Sequence, residues 1–183
     1  MTIEGIWNLC RSLGKQTNLF ETWAGKMLVV DASVWFHTFL SVKPLPALFD
    51  GDFSHLEKLW NLRINQILSH GITPIFVFDG KPFPAKLSTN SDRAKQRLAA
   101  YAEANAYLNN NNRAKAEECA KKAIAITSVM IYSVVHNVLR PRGISYLVAP
   151  YEADGQIVAL CLQHPDYAVD SIDGICFRGF SFV

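Results

Sequence analysis

The four cysteines of this 183-residue chain (Cys10, Cys119, Cys161, Cys176) form no Cys-x-x-Cys pair and no finger-like spacing. That excludes a zinc ribbon and a disulfide framework, and reads as reduced, intracellular thiols. No basic stretch followed by an apolar run opens the chain, so no signal peptide is expected. The most apolar segment, from Ala123 to Leu139, is interrupted by Thr127, Ser128, Ser133, His136 and Asn137. It is too short and too polar to span a membrane and reads as part of a buried helix. A large excess of one charge sign is also lacking: the formal net charge is +2, with 19% charged and 50% hydrophobic residues. This balance excludes a disordered chain and suits one globular domain with a proper core.

What is present is an uneven distribution of charge. Residues 81 to 122 carry nine Lys or Arg against four Asp or Glu, which leaves the remainder net acidic. The acids of that remainder stand where β-like runs end. Asp31 follows Met27 to Val30, Asp79 follows Ile75 to Phe78, Glu152 and Asp154 follow Tyr146 to Ala149, and Asp173 follows Tyr167 to Val169. An open α/β sheet gathers the ends of its strands into one cleft. Carboxylates crowded there repel one another and are costly to bury unpaired. A divalent cation, Mg²⁺ in particular, is the usual remedy. Taken singly, each acid also reads as an ordinary cap or loop residue; as a set they point to metal-assisted chemistry on a phosphate. A basic segment beside an acidic cleft fits a polyphosphate backbone, although such a segment is also compatible with a solvated helical face.

The order of elements supports the sheet. A short helix is expected over 4–13, a strand over 27–31, and a helix over 55–70 with Leu56, Leu59, Trp60, Ile64, Ile67 and Leu68 on one stripe. Gly71 reads as its C-cap, and a second strand follows from Pro74 to Phe78. After the rigid Lys81-Pro82-Phe83-Pro84 break comes a basic helix from about 92 to 108, then the Asn109 to Asn112 loop. One long helix is expected from about 113 to 139, ended by Pro141 and Gly143. Strands are expected again at Ser145 to Ala149 and from Ala168. The alternation predicts an α/β fold with a mostly parallel sheet and helices on both faces.

Three segments carry a resemblance: Gly25-Lys-Met-Leu-Val-Val-Asp31-Ala-Ser, Gly71-Ile-Thr-Pro-Ile-Phe-Val-Phe-Asp79-Gly-Lys-Pro, and Val148-Ala-Pro-Tyr-Glu152-Ala-Asp154-Gly-Gln. They resemble the XPG/flap-endonuclease superfamily. The run from Ala114-Lys-Ala-Glu-Glu-Cys-Ala through Ile126-Thr127 to Asp154 is most similar to its eukaryotic double-strand, mismatch-repair exonuclease branch. The resemblance implies a PIN-like nuclease domain over 1–183, with an N-region over 1–80, a basic helical arch over 81–112 and an I-region over 113–183. It implies hydrolysis of DNA phosphodiesters at 5′ ends or 5′ flaps, in repair or recombination, with two Mg²⁺ ions (Mn²⁺ being the alternative). Such ions, roughly 4 Å apart, activate water and stabilise the leaving oxygen.

On the same basis Asp31, Asp79, Glu152, Asp154 and Asp173 match metal-site acids. Lys86 and Arg93 match the basic pair of the arch that grips the scissile phosphate. Arg97, one turn on, adds a backbone contact or is simply solvated; His37 falls where this branch sets a residue against DNA, or is a satisfied histidine among Trp35, Phe36 and Phe39. A nuclear location follows from the resemblance alone.

Three departures qualify these expectations. Ser171 stands where the family has a carboxylate two residues before its last Asp, so the second metal site is depleted of one charge. The family continues beyond the last strand with a further metal-binding acid and a duplex-holding helical hairpin, both absent by Val183. Thr2 replaces a glycine. Loss of even an outer-shell partner costs ~10–100-fold in metal affinity or activity. The alternatives are therefore an active 5′-nuclease and a catalytically impaired DNA-binding relative or fragment. A small single-strand ribonuclease of related topology is disfavoured by the 114–154 signature. A final strand over 175–183 is expected to expose apolar surface and favour self-association.

Overall fold

The structure is a computed structural model that describes residues 19–171. The expected helix at 4–13, the strand over 175–183, Thr2 and Asp173 lie outside the described residues. In chain order the elements are α1 (Leu19–Trp23), β1 (Met27–Asp31), α2 (Ala32–Leu40), a π-helical turn (Pro46–Asp50), α3 (His55–Ser69), β2 (Thr73–Phe78), α4 (Leu87–Asn109) and α5 (Arg113–Ala123). There follow α6 (Ser128–Val134), a π-helical turn (Val135–Leu139), β3 (Ser145–Val148), α7 (Ala153–Gln163) and β4 (Ala168–Asp170). They form two compact units: 19–34, 62–81 and 142–171 make one, and Trp35–Asn61 with Pro82–Pro141 make the other.

The first unit holds the sheet. Its strand order is β3-β2-β1-β4, with every pairing parallel, as the alternating strand and helix pattern requires. Val29 and Val77 share one face and pack against Ala153, Ile157 and Cys161 of α7. Leu28, Val30, Phe76 and Phe78 alternate to the opposite face and are also buried. A parallel sheet buried on both faces explains why these strands read as continuous apolar runs rather than alternating ones. Gly71 and Gly143, at φ 72° and 62°, take the left-handed conformation that lets the chain turn into β2 and β3.

The second unit is helical. Trp35, Phe36 and Phe39 of α2 surround Trp60 of α3, with ring centroids 5.0 Å, 5.2 Å and 6.1 Å from it. These rings explain a helix the sequence did not announce. The Ala32 to Leu40 segment is rich in β-branched and aromatic residues of modest helix propensity, and packing overrides that preference. Leu45, Ala104, Ala116, Cys119 and Ala120 form a second cluster. The small side chains of Ala104, Ala116, Cys119 and Ala120 let α4 and α5 pack closely.

Two sequence expectations are corrected here. The basic helix begins at Leu87 rather than near 92, because the Ser88 to Ser91 polar run continues helically instead of capping. The single long helix over 113–139 is instead two. α5 ends at Ala123, Ile124 is extended (φ −63°, ψ 131°), and the Thr127 side chain accepts from Met130 N to start α6. The β-branched Ile124 and Ile126, with a good N-cap at Thr127, favour this break over continuation. Thr127→Ala is expected to cost about 1 kcal/mol, measured as a lower denaturant midpoint at unchanged m-value. Among the described residues no single helix is long and apolar enough to cross a membrane.

Candidate active site and basic groove

The sheet unit brings four of the five predicted acids to one edge. Asp31 closes β1, Asp79 follows β2, and Glu152 and Asp154 flank the start of α7 beyond β3. All lie at carboxyl ends of parallel strands. β1 is the strand with β2 and β3 on one side and β4 on the other, the position where open α/β sheets bind ligands.

Asp31 is 7% exposed. Burial above all, then repulsion from Asp79 and Asp154, pushes its carboxyl up to about 6, against the lowering effect of the Ser33 amide. That amide donates to Asp31 Oδ1 at 2.9 Å. The same residue donates its hydroxyl to Asp79 Oδ2 at 2.7 Å, and Asp79 Oδ1 accepts from Ala153 N at 2.8 Å. Ser33 thus bridges two acids, and the first turn of α7 engages one of them, a favourable place for negative charge. Sequence reasoning missed Ser33, although an Asp-x-Ser step after a strand is a recognisable side-chain-to-backbone turn signal.

Gly80 makes this arrangement sterically accessible. A Cβ there would lie 1.8 Å from the Ala149 carbonyl oxygen. Its amide donates to Tyr151 O, and Lys81 N donates to Pro150 O at 3.2 Å. The loops after β2 and β3 are therefore clasped backbone to backbone. Ser171, just past the end of β4, places its Oγ 3.5 Å from Asp31 Oδ2. The position that lacks the expected carboxylate therefore adjoins the acid whose charge is most costly.

The donor set suits a hard divalent cation, which takes carboxylate oxygens. Among the described residues, however, no three of His, Cys, Asp and Glu stand close enough to form a ligand shell.

The predicted basic residues lie in the helical unit. His37 of α2, Arg93 and Arg97 of α4, and Lys121 and Lys122 of α5 line an open groove of ≈ 540 Å³, with Gln96, Ala100, Glu103 and Ile124. Lys86, half-buried just before α4, is not among these lining residues. Lys121 and Lys122 were not singled out from sequence; the only signal was a Lys pair in the last turn of α5.

The fold and this cleft define an open parallel α/β protein with acids gathered at its strand ends. Residues 1–100 match the XPG N-terminal domain, and the chain belongs to that family. It is 34% identical to Exonuclease 1 of Arabidopsis thaliana over 88% of the chain and 22% of that protein. It is 31% identical to Flap endonuclease 1 of Pyrobaculum aerophilum over 92% of the chain and 51% of that protein. The chain thus spans from about a fifth to about half the length of these relatives. Among solved structures, the catalytic core of Rad2 in complex with DNA substrate superposes with a TM-score of 0.64 and 25% identity, covering 96% of this chain and 46% of that one.

Proposed function

We propose that the chain is the nuclease core of a metal-dependent 5′-nuclease that hydrolyses DNA phosphodiesters at 5′ ends or 5′ flaps in repair or recombination, in the nucleus. The observation that carries this reading is Asp31, a buried carboxylate held at about 6 by burial and by Asp79 and Asp154 at the strand ends. Membership in a family whose nucleases are metal-dependent supports it. Asp31, Asp79, Glu152, Asp154 and Asp173 are the proposed ligands, with Mg²⁺ the preferred ion and Mn²⁺ the alternative. The bound cations would supply a water of lowered pKa and charge stabilisation at the leaving oxygen.

The chain's own residues supply the rest. Ser33 and the Ala153 amide hold Asp79 in orientation. Lys86, Arg93, Arg97 and His37 are the proposed contacts to the phosphate backbone, Lys86 and Arg93 being those assigned to the scissile phosphate. A second reading, a catalytically impaired DNA-binding relative, is favoured by Ser171 beside Asp31 in place of a carboxylate.

The deciding test is Mg²⁺- and Mn²⁺-dependent degradation of a 3′-labelled, 5′-recessed duplex by the natural chain, Ser171→Asp and Asp79→Ala. Activity in the natural chain, lost by at least 100-fold in Asp79→Ala, is the expected result. Activity only in Ser171→Asp would support a framework silenced at one position. Silence in all three folded proteins would overturn the enzymatic reading.

A further inference from the structure

The long helix α4 has three sides, and packing and the groove account for two of them. Ala100 and Ala104 are buried. Arg93, Gln96, Ala99 and Glu103 line the basic groove. The third side carries Ala94, Leu98, Tyr101 and Asn105, all exposed, at intervals of four, three and four residues. That spacing is the a and d seam of a heptad repeat, with Leu98 and Asn105 at a and Ala94 and Tyr101 at d. Lys95 and Arg97 then fall at the e and g positions that border the seam.

Leu98 is 71% exposed and Tyr101 42%. Helix propensity explains a leucine at such a place but not a tyrosine. Phe49 holds the Tyr101 ring, with centroids 5.1 Å apart and planes at 39°, so the ring is set before any partner arrives. Pre-set aromatic anchors dominate binding surfaces, and helices dock through residues at this spacing. One exposed apolar side chain would need no explanation. An aromatic and a leucine on successive turns of one seam do.

We propose that this outer seam of α4 docks an amphipathic helix of a partner protein, one with apolar residues at three- and four-residue spacing and carboxylates beside them. Charge selects the occupant. From 93 to 102 the chain carries Arg93, Lys95 and Arg97 and no Asp or Glu. Lys95 meets Asp92 at 3.6 Å, an exposed pair that contributes little. A second copy of this chain would set Lys95 and Arg97 against the same cations across the seam, in parallel or antiparallel pairing alike. Glutamates at e and g of a partner pair with them instead. Asn105 at an a position favours a single register. The seam spans two heptads, too short for a free-standing coiled coil and sufficient for one helix laid on a preformed one. The inference stands apart from the nuclease reading.

The test is anisotropy of a fluorescein-labelled three-heptad peptide, with Leu at a and d and Glu at e and g, titrated with the natural chain in EDTA. Controls are a scrambled peptide of the same composition and a peptide with Lys in place of Glu. The expected result is saturable binding, roughly tenfold or more weaker for both controls and for Leu98→Gln/Tyr101→Gln. Leu98→Lys, at a position 71% exposed, should lose as much binding, and it keeps the test decisive where loss of the Tyr101 contact with Phe49 unfolds the chain. Lys121→Ala/Lys122→Ala, in the groove, should bind the peptide as the natural chain does.

Equal binding of the scrambled peptide, no binding of the Leu/Glu peptide, or an equal loss in the groove variant would overturn the proposal. So would a dimer in sedimentation equilibrium that Leu98→Lys disperses, since the occupant would then be a second copy. Duplex cleavage in Mg²⁺ is scored on the same proteins. Peptide binding through Leu98 without cleavage by the natural chain would count against the enzymatic reading and leave this one standing. Cleavage without peptide binding would do the reverse.

Discussion

Replacing Asp31 with Asn is expected to stabilise the folded chain at neutral pH while lowering the proposed cation-dependent cleavage at least 100-fold. The carboxyl is held at about 6 in the fold against an ordinary 3.8. Between those values the folded state binds more protons than the unfolded one, so stability falls as pH rises through this window. The penalty is absent below about 3.8 and complete above about 6. At roughly 1.4 kcal/mol per pH unit of displacement it amounts to about 3 kcal/mol. Asn keeps an oxygen for the Ser33 amide but carries no charge, so we expect a gain of about 1–3 kcal/mol at pH 7. Its stability should lose the decline that Asp31 contributes to the natural chain between about pH 4 and 6.

On the proposed metal-dependent reading, a divalent cation would offer the natural chain another route to the same relief. Millimolar Mg²⁺ or Mn²⁺ should raise its melting temperature at pH 7, by linkage to binding in the folded state, and should have much less effect on Asp31→Asn. The proposed cleavage should fall by at least 100-fold, since Asp31 is the most deeply buried of the described acids at the strand ends. Chemical denaturation at pH 4, 5, 6 and 7, with and without Mn²⁺, reads all of this. If the natural chain is equally stable at every pH and insensitive to the ions, the electrostatic account of the cleft is wrong.

Gly80→Ala is expected to be among the most damaging single-methyl additions in the sheet unit. The new Cβ would meet the Ala149 carbonyl oxygen at 1.8 Å, and neither group is the end of a flexible side chain. One of the two loops must move, which parts the Gly80 to Tyr151 and Lys81 to Pro150 hydrogen bonds. It also displaces Asp79, the neighbouring residue, from Ala153 N and Ser33 Oγ. Overpacking of this kind costs typically about 1–3 kcal/mol and sometimes more, and we expect about 3 kcal/mol. Where the variant still folds, metal-dependent cleavage should fall further than stability does. A Gly80→Ala variant as stable as the natural chain would show that the two loops are not clasped.

The contrast between these two sites shows where sequence reading works. Asp31 was legible because an acid at the end of an unbroken apolar run is a one-dimensional signal: the strand precedes it and the sheet rule places it. The same holds for Asp79, Glu152 and Asp154, and for all four described strands. Gly80 was not legible, since its requirement comes from a carbonyl oxygen almost seventy residues later. Ser33 was missed for a similar reason. Its turn onto Asp31 is local, but its hydroxyl reaches an acid on another strand.

The helical unit divides along the same line. The basic character of 81–122 and the pairing of Arg93 with Arg97 follow from composition and a 3.6-residue period. The break at Ile124 required weighing a Thr cap against a run of apolar residues, and the apolar run misled. The grouping of Lys121, Lys122 and His37 with the arginines depends on how α2, α4 and α5 pack, which no local pattern encodes.

The sequence alone thus determined the α/β class, the parallel strands, the acidic strand ends and the basic segment, because each is set by short-range periodicity or by neighbours in the chain. Only the tertiary structure decided the burial that raises the Asp31 carboxyl, the clasp at Gly80 and the set of cations lining the groove. Burial, steric contact and electrostatic repulsion act through space, between residues that the sequence keeps far apart.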